Sequence, residues 1–184
     1  MLSIITQPTN KPVTLEEVKH HARLALDDNS EDALLELMID AATKSAEFET
    51  NRSLINRTIR IKEYAGLKIE LPKPPLVSIS SVKLIDSDGI ETTLTTDDYS
   101  IDDVGLVPEL HFDSIGAAKY VQVEYVAGYG SSASSVPESI RKWILCRVNT
   151  LYEYREYFMN GSLNDFPKSF IDSLLDDYRI VSAH

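Results

Sequence analysis

The sequence has little of what a secreted, disulfide-bonded or membrane-spanning protein needs. Its 184 residues include one cysteine, Cys146, which excludes an internal disulfide and gives no sign of an oxidising compartment. No run of about 18 apolar residues is present, so we predict no membrane span. Residues 1–12 lack the basic and apolar parts of a signal peptide. These absences predict a protein of the cytoplasm, or of a particle assembled there.

Basic residues are also scarce, with 18 lysines and arginines against 29 acidic residues and a net charge of −11. Nine acids and no lysine or arginine lie between Leu84 and Ala118. Because nucleic-acid binders need clustered cations, this acidity disfavours tight or sequence-specific DNA binding. Four of the acids are candidates for an exposed acidic rim: Asp97, Asp98, Asp102 and Asp103. The alternative interpretation is an ordinary solvated surface.

Helical patterns stand near both ends of the chain. Thr14-Leu15-Glu16-Glu17 is a capping box that predicts the start of a first helix. A second helix is predicted from about Glu31 to Thr50, with Asn51 as its stop. Its apolar stripe consists of Leu35, Met38, Ile39, Ala42 and Ala46.

Residues 57–127 change to a period of two, which predicts five to seven short antiparallel strands. A phase shift at Ser80-Ser81 predicts a β-bulge. Asp88-Gly89 predicts a type I′ hairpin turn. The glycines and serines of residues 128–135 predict a flexible joint.

The C-terminal part of the sequence returns to helical periodicity. Ser135 and Glu138 form a second predicted capping box, from which a long helix should run to about Phe158. A last short helix is predicted to begin near Pro167. We therefore expect an α+β fold in one domain: a bundle of N- and C-terminal helix pairs (residues 13–52 and 136–180) with an inserted antiparallel β subdomain (57–127). Residues 1–12 and 180–184 are expected to be flexible arms.

No motif in the sequence predicts catalysis. Gly128-x-Gly130-x-x-Ala133 resembles a dinucleotide-binding loop, but the next helix begins too late to point its amides at a pyrophosphate. The four histidines show no metal-ligand spacing. We predict a protein that is not an enzyme and has no cofactor and no metal site. The alternative, a metal-dependent hydrolase or nuclease using the aspartates, would need a basic substrate groove beside them.

An aromatic cluster, residues 151–158, is the best candidate for a protein–protein interface. Its rings cannot all face one core because a helix turns 100° per residue. Tyrosine and arginine are also the residue types enriched in interface hot spots. The candidate interface residues are Tyr152, Tyr154, Arg155, Tyr157, Tyr178 and Arg179. The alternative is an extended hydrophobic core that ends in partly exposed tyrosines.

Several segments together resemble one family, the head–tail connector (adaptor) proteins of tailed phages. The segments are Val13–Lys19, the proline-rich Leu71–Val82 followed by Asp86–Gly89, Val126–Gly130, Val136–Ile140 and Leu151–Glu156. The resemblance implies a structural subunit of a phage or prophage. The subunit would be present in the host cytoplasm before assembly and would then become part of the virion neck. Some members are associated with DNA packaging. Another neck or tail-completion protein is the nearest alternative.

The same resemblance implies the partners. These would be other copies of the chain in a ring of about twelve, the portal protein on one side and a tail or neck protein on the other, with no membrane. DNA would pass through the ring, so we expect the acidic rim to face the channel.

Overall fold

The computed structural model describes residues 1–154 and 171–180 and confirms the α+β class. The described helices are α1 (Leu15–Ala22), α2 (Asp32–Thr50), α3 (Glu138–Glu153) and two 3-10 helices, Ala133–Ser135 and Ser173–Tyr178. The described strands are β1 (Leu2–Thr6), β2 (Arg57–Tyr64), β3 (Lys68–Glu70), β4 (Leu76–Ile85), β5 (Glu91–Thr93), β6 (Tyr99–Asp102), β7 (Glu109–Phe112) and β8 (Tyr120–Ala127). Within these residues, no helix is both long and apolar enough to cross a bilayer.

The capping box predicted at the start of α1 is present. The amide of Glu17 donates to Thr14 Oγ1 at 3.2 Å, and the amide of Thr14 donates to Glu17 Oε2 at 2.8 Å. Helix α2 ends at Asn51, which adopts a left-handed conformation with φ of 56°. Both N-terminal helix predictions are therefore confirmed.

A buried lysine, which no sequence pattern indicated, organises the turn between α1 and α2. Lys19 is only 4% exposed. Its ammonium donates to the carbonyl of Asp28 at 2.8 Å and to Asn29 Oδ1 at 3.3 Å, and lies 2.6 Å from Asp32 Oδ1. A buried charge is stable only when it is paired in this way.

Helices α1, α2 and α3 pack together around one hydrophobic core. The core includes Val18, Leu35, Ile39, Ala42, Ala46, Leu54, Ile140, Ile144, Val148 and Leu175. Arg141 fastens α3 to α1, since its Nε donates to the carbonyl of Pro12 at 3.1 Å and its guanidinium pairs with Glu17. The stripe predicted for α2 is the face that is buried.

The strands form two sheets around a second core. One has the order β1-β2-β8-β4-β5 and the other β3-β7-β6, and all their pairings are antiparallel. Side chains from both sheets fill this core, among them Ile59, Ile61, Ile69, Leu110, Val123 and Tyr125. The register of β4 against β8 shifts between Ile79 and Ser81, which confirms the predicted bulge.

The turn between β4 and β5 differs from the prediction. A type I′ turn needs positive φ at both central residues, but only Gly89 has it, at 84°. The loop is longer because the Asp86 carboxylate accepts hydrogen bonds from the amides of Asp88 and Ile90, both at 2.9 Å. A side chain that satisfies two amides makes a wider turn stable.

Both expected arms are anchored where the structure describes them. Residues 2–6 form β1, because Leu2 and Ile4 pair with Ile61 and Ile59 and extend the apolar side of the sheet. At the other end, the amide of Ile180 donates to the carbonyl of Thr50 at 3.2 Å. The flexible-arm prediction is wrong for these residues, since tertiary pairing outweighs the local polar and proline-rich sequence.

Helix α3 is shorter than predicted. Helix α3 ends at Glu153 rather than near Phe158, because Tyr154 leaves the helical region at φ −107° and ψ 58°. No side chain caps its start, and Ser135 Oγ lies 3.0 Å from Ser132 Oγ instead. The start predicted near Pro167 lies outside the described residues, and residues 173–178 form a 3-10 helix.

The glycine-rich segment after β8 is a close-packed junction rather than a flexible joint. Gly128 has φ of 146°, and a Cβ there would lie 2.5 Å from the amide nitrogen of Asn56. The amide of Gly128 donates to the carbonyl of Pro75 at 2.9 Å, and the amide of Asn56 donates to the carbonyl of Gly130 at 2.9 Å. Only glycine allows two backbones to approach this closely.

Residues 50–56, which we call the central connector, tie the helices to the sheets. They follow α2, and their backbone groups bond to three other parts of the chain. The carbonyl of Thr50 accepts a hydrogen bond from the amide of Ile180. The amide of Ser53 donates to the carbonyl of Pro74 at 3.2 Å, and the amide of Tyr129 donates to the carbonyl of Leu54 at 3.2 Å.

Tyr125 provides a moderate stability test of the β core. Its hydroxyl donates to the carbonyl of Pro72 at 2.6 Å, and burial raises the pKa of the phenol. Tyr125→Phe keeps the ring but leaves that carbonyl without its donor, so we expect a loss of about 1 kcal/mol in the free energy of unfolding. Urea titration followed by circular dichroism measures it. Tyr154→Phe, at an exposed position, should change almost nothing, and equal effects of the two variants would contradict the assignment.

Candidate functional site

The members of the predicted Tyr/Arg interface that the structure describes do not form one surface. The Tyr152 hydroxyl donates to the carboxylate of Glu31, at the start of α2. Arg179 pairs with Glu49, at the end of the same helix. Since Glu31 and Glu49 stand 18 positions apart along the helix, these two points lie about 27 Å apart.

The remaining members of that set have different surroundings. Tyr154 is 45% exposed at the end of α3. Tyr178 packs against the helical core, and its carbonyl accepts a hydrogen bond from Arg52 Nε at 2.8 Å. Arg155 and Tyr157 lie outside the described residues. Within the described chain, Tyr154 is therefore the most accessible tyrosine of the set.

The four acids of the predicted rim are all exposed, and they form two pairs at opposite ends of β6. Asp97 and Asp98 precede the strand. The amide and hydroxyl of Thr95 donate to the Asp98 carboxylate at 2.7 and 2.8 Å, and these bonds hold the pKa of Asp98 below its usual value. Asp102 and Asp103 follow at the other end, where β6 leads into the β6–β7 loop. The acidic charge is thus divided between the two ends of β6.

A cluster that the sequence did not indicate lies on β6 and β7. One ligand atom each from Asp102, Glu109 and His111 lies within 4.8 Å of the others. The cluster arises from strand register, because Asp102 pairs directly with Glu109. Lys68, from β3, already lies 2.7 Å from Glu109 and holds the pKa of that carboxyl below its usual value. The Lys68 ammonium thus already provides the cluster with the positive charge that a metal ion would otherwise supply.

The other surface of note, which we call the Phe48 groove, was also missed from the sequence. It has a volume of about 210 Å³ between α2, β1 and β2. Its apolar wall consists of Leu2, Ile4, Phe48 and Ile59, and its polar rim of Lys44, Glu47, Arg52, Ser53, Arg57 and Lys73. Phe48 is 81% exposed, which is unusual for a phenylalanine in a protein whose two cores are well filled.

The rim of the Phe48 groove is basic in a protein that is strongly acidic as a whole. Four cationic side chains face one carboxylate, Glu47, which gives a local net charge of +3. Glu47 pairs with Arg57, while Lys73 Nζ donates to Asn51 Oδ1 at 2.8 Å. Burial lowers the pKa of Lys73. An apolar floor with a cationic rim is suited to an apolar segment that carries acids.

Solved structures of other proteins share this fold. A chain in the neck of an empty GTA particle, computed with C6 symmetry, is 24% identical with a TM-score of 0.81, and a chain in the virion of a native gene transfer agent (GTA) particle is 22% identical with a TM-score of 0.81. A chain in the neck of a native GTA particle, computed with C12 symmetry, is 21% identical with a TM-score of 0.76. Each match covers 100% of this chain and 97% of the other. Identities this low establish the fold alone.

The sequence comparisons are more specific. No curated protein sequence matches the chain. The model of one family, described as phage gp6-like head-tail connector protein, matches residues 12–106, which is just over half of the chain. The resemblance found in the sequence is thereby confirmed, and this chain belongs to the phage gp6-like head-tail connector family.

Proposed function

We propose that this connector protein works as one subunit of a ring that joins the portal to the tail and lets DNA pass. The family match supplies the connector role. Similar chains in particle necks treated with C6 and C12 symmetry support a cyclic assembly, and the family resemblance suggests about twelve copies. The virion neck is then its site of action, after a period in the host cytoplasm.

The division of the fold suits such a subunit. In this proposal the N- and C-terminal helix pairs form the bundle, and the two sheets are an insertion between them. A ring needs two different patches on each subunit, since copies meet head to tail. The Phe48 groove and the acidic ends of β6 are two patches of opposite charge.

The acidic surface has a role in this proposal because the channel must not hold DNA. Exposed carboxylates near the channel repel phosphates and so lower the affinity for passing DNA. We place Asp97 and Asp98 toward the channel, with Tyr154 and the neighbouring Arg155 and Tyr157 toward the portal or tail protein. Tyr152, Tyr178 and Arg179 make contacts within the chain, so we propose for them only a supporting role at that surface.

Imaging of the purified chain tests the proposal. We expect negative-stain images of the protein mixed with its portal to show rings of about twelve copies docked at one end of the portal. A cryo-EM map should then show Asp97 and Asp98 on the inner surface. A chain that does not bind the portal and binds only tail proteins would instead favour a tail-completion role. A map with these acids on the outer surface would reject the channel assignment.

A further inference from the structure

Two exposed apolar patches of the described residues can be matched with each other once both cores are accounted for. One is the Phe48 groove. The other is the β6–β7 loop, residues 103–108, in which Val104 is 92% exposed and Leu106 is 65% exposed. Apolar side chains that are close in sequence and exposed to this degree are typical of interaction surfaces.

The two patches match in chemistry. The loop presents two aliphatic side chains directly after Asp102 and Asp103, while the groove has an apolar floor and a local charge of +3. The groove also has a suitable size. At about 210 Å³ it exceeds the roughly 150 Å³ of an engineered apolar cavity that binds benzene, so one aliphatic side chain of the loop fits.

We propose that the β6–β7 loop of one copy docks in the Phe48 groove of the next copy. Val104 or Leu106 fills the apolar floor, and Asp102 and Asp103 face Lys44, Arg52 and Lys73 on the rim. Groove and loop are different surfaces, so each copy binds one neighbour through its loop and the other neighbour through its groove. This is the head-to-tail contact that closes a ring. The inference rests on the proposed ring and names the contact that holds it.

The loop position is compatible with the channel assignment. Strand β6 separates Asp97 and Asp98 from Asp102 and Asp103, so the first pair can face the channel while the second lies between copies. Val107 and Pro108 turn inward and hold the base of the loop, and the carbonyl of Pro108 accepts a hydrogen bond from the amide of Leu71 at 2.8 Å. Because the base of the loop is anchored, docking costs less conformational entropy.

Cysteine cross-linking tests the contact directly. Phe48→Cys and Val104→Cys are combined in a Cys146→Ser background, assembled with the portal, and oxidised. Because each copy supplies one of each cysteine, we expect a ladder of linked chains up to the full ring on a non-reducing gel. Either cysteine alone should give at most dimers. Phe48→Cys with Ile90→Cys is the matched control, since Ile90 is 64% exposed but lies in the β4–β5 turn.

The outcomes separate this inference from the proposed function. Rings visible in the microscope without a ladder overturn the loop–groove contact and leave the ring intact. If the unmodified chain forms no rings with its portal, both proposals fail.

A charge test adds a second measurement. Lys44→Glu should raise the protein concentration needed for ring formation by about tenfold, because it places a like charge opposite the loop acids. Lys142→Glu makes the same change on the exposed side of α3 and should leave that concentration unchanged. Equal thermal stability of the two monomers confirms that both fold, and equal assembly of the two variants would overturn the proposal.

Discussion

Gly128→Ala is expected to lower the free energy of unfolding by about 3 kcal/mol or more, the largest single effect that we predict. The new Cβ would lie 2.5 Å from the amide nitrogen and 2.7 Å from the Cα of Asn56, and both are backbone atoms that cannot rotate away. The φ of 146° adds backbone strain that alanine does not tolerate. Relief of the clash would require residues 128–130 or the central connector to move, which breaks the hydrogen bonds between them.

Urea titration followed by the fluorescence of Trp143 measures this loss. Gly89→Ala is the matched control, because Gly89 also has a positive φ, 84°, but nothing lies within 4 Å of the added Cβ. The control should show only the backbone strain of about 1 kcal/mol. If the two alanine variants unfold at the same urea concentration, the close approach at Gly128 is not important for stability.

Lys19→Ala is expected to cost about 3 kcal/mol. The substitution removes the ammonium that contacts the carbonyl of Asp28 and the side chains of Asn29 and Asp32, and it leaves these oxygen atoms without that donor. Loss of one partner from a buried charged pair is costly because the other partner keeps its desolvation penalty. The turn between α1 and α2 should then loosen first.

Hydrogen exchange of the amides in residues 24–32, together with the thermal midpoint, measures this effect. Lys142→Ala, at an exposed position on α3, should stay within about 0.5 kcal/mol of the natural protein. Faster exchange spread evenly over the whole chain, rather than concentrated in the turn, would show that Lys19 has no special role there.

Local patterns in the sequence were sufficient for the two N-terminal helices and for most strands. The stripe of α2 and the capping box of α1 depend on neighbours three or four residues apart, so they are visible without the fold. Strand β1 was missed because its partner, β2, lies more than fifty residues away. The end of α3 was misplaced because Tyr154 continues the helical pattern of the sequence, although its backbone leaves the helical region.

The candidate surfaces were harder to predict for the same reason. The Phe48 groove combines β1, α2, β2 and Lys73, so no single segment indicates it. In α2 alone, Phe48 stands off the apolar stripe and could be taken for an ordinary exposed residue. The Asp102–Glu109–His111 cluster depends on strand register. By contrast, the acids of the rim are exposed as expected, because carboxylates are rarely buried without a partner.

The central connector has a mechanical consequence. Because the segment after α2 is bonded on one side to the C-terminal residues and on the other to the strand ends, the helices and sheets cannot swing against each other without breaking several backbone hydrogen bonds. Each copy should therefore carry load as a stiff block. When a tail tilts or twists against its capsid, we expect the compliance to reside in the joints between blocks.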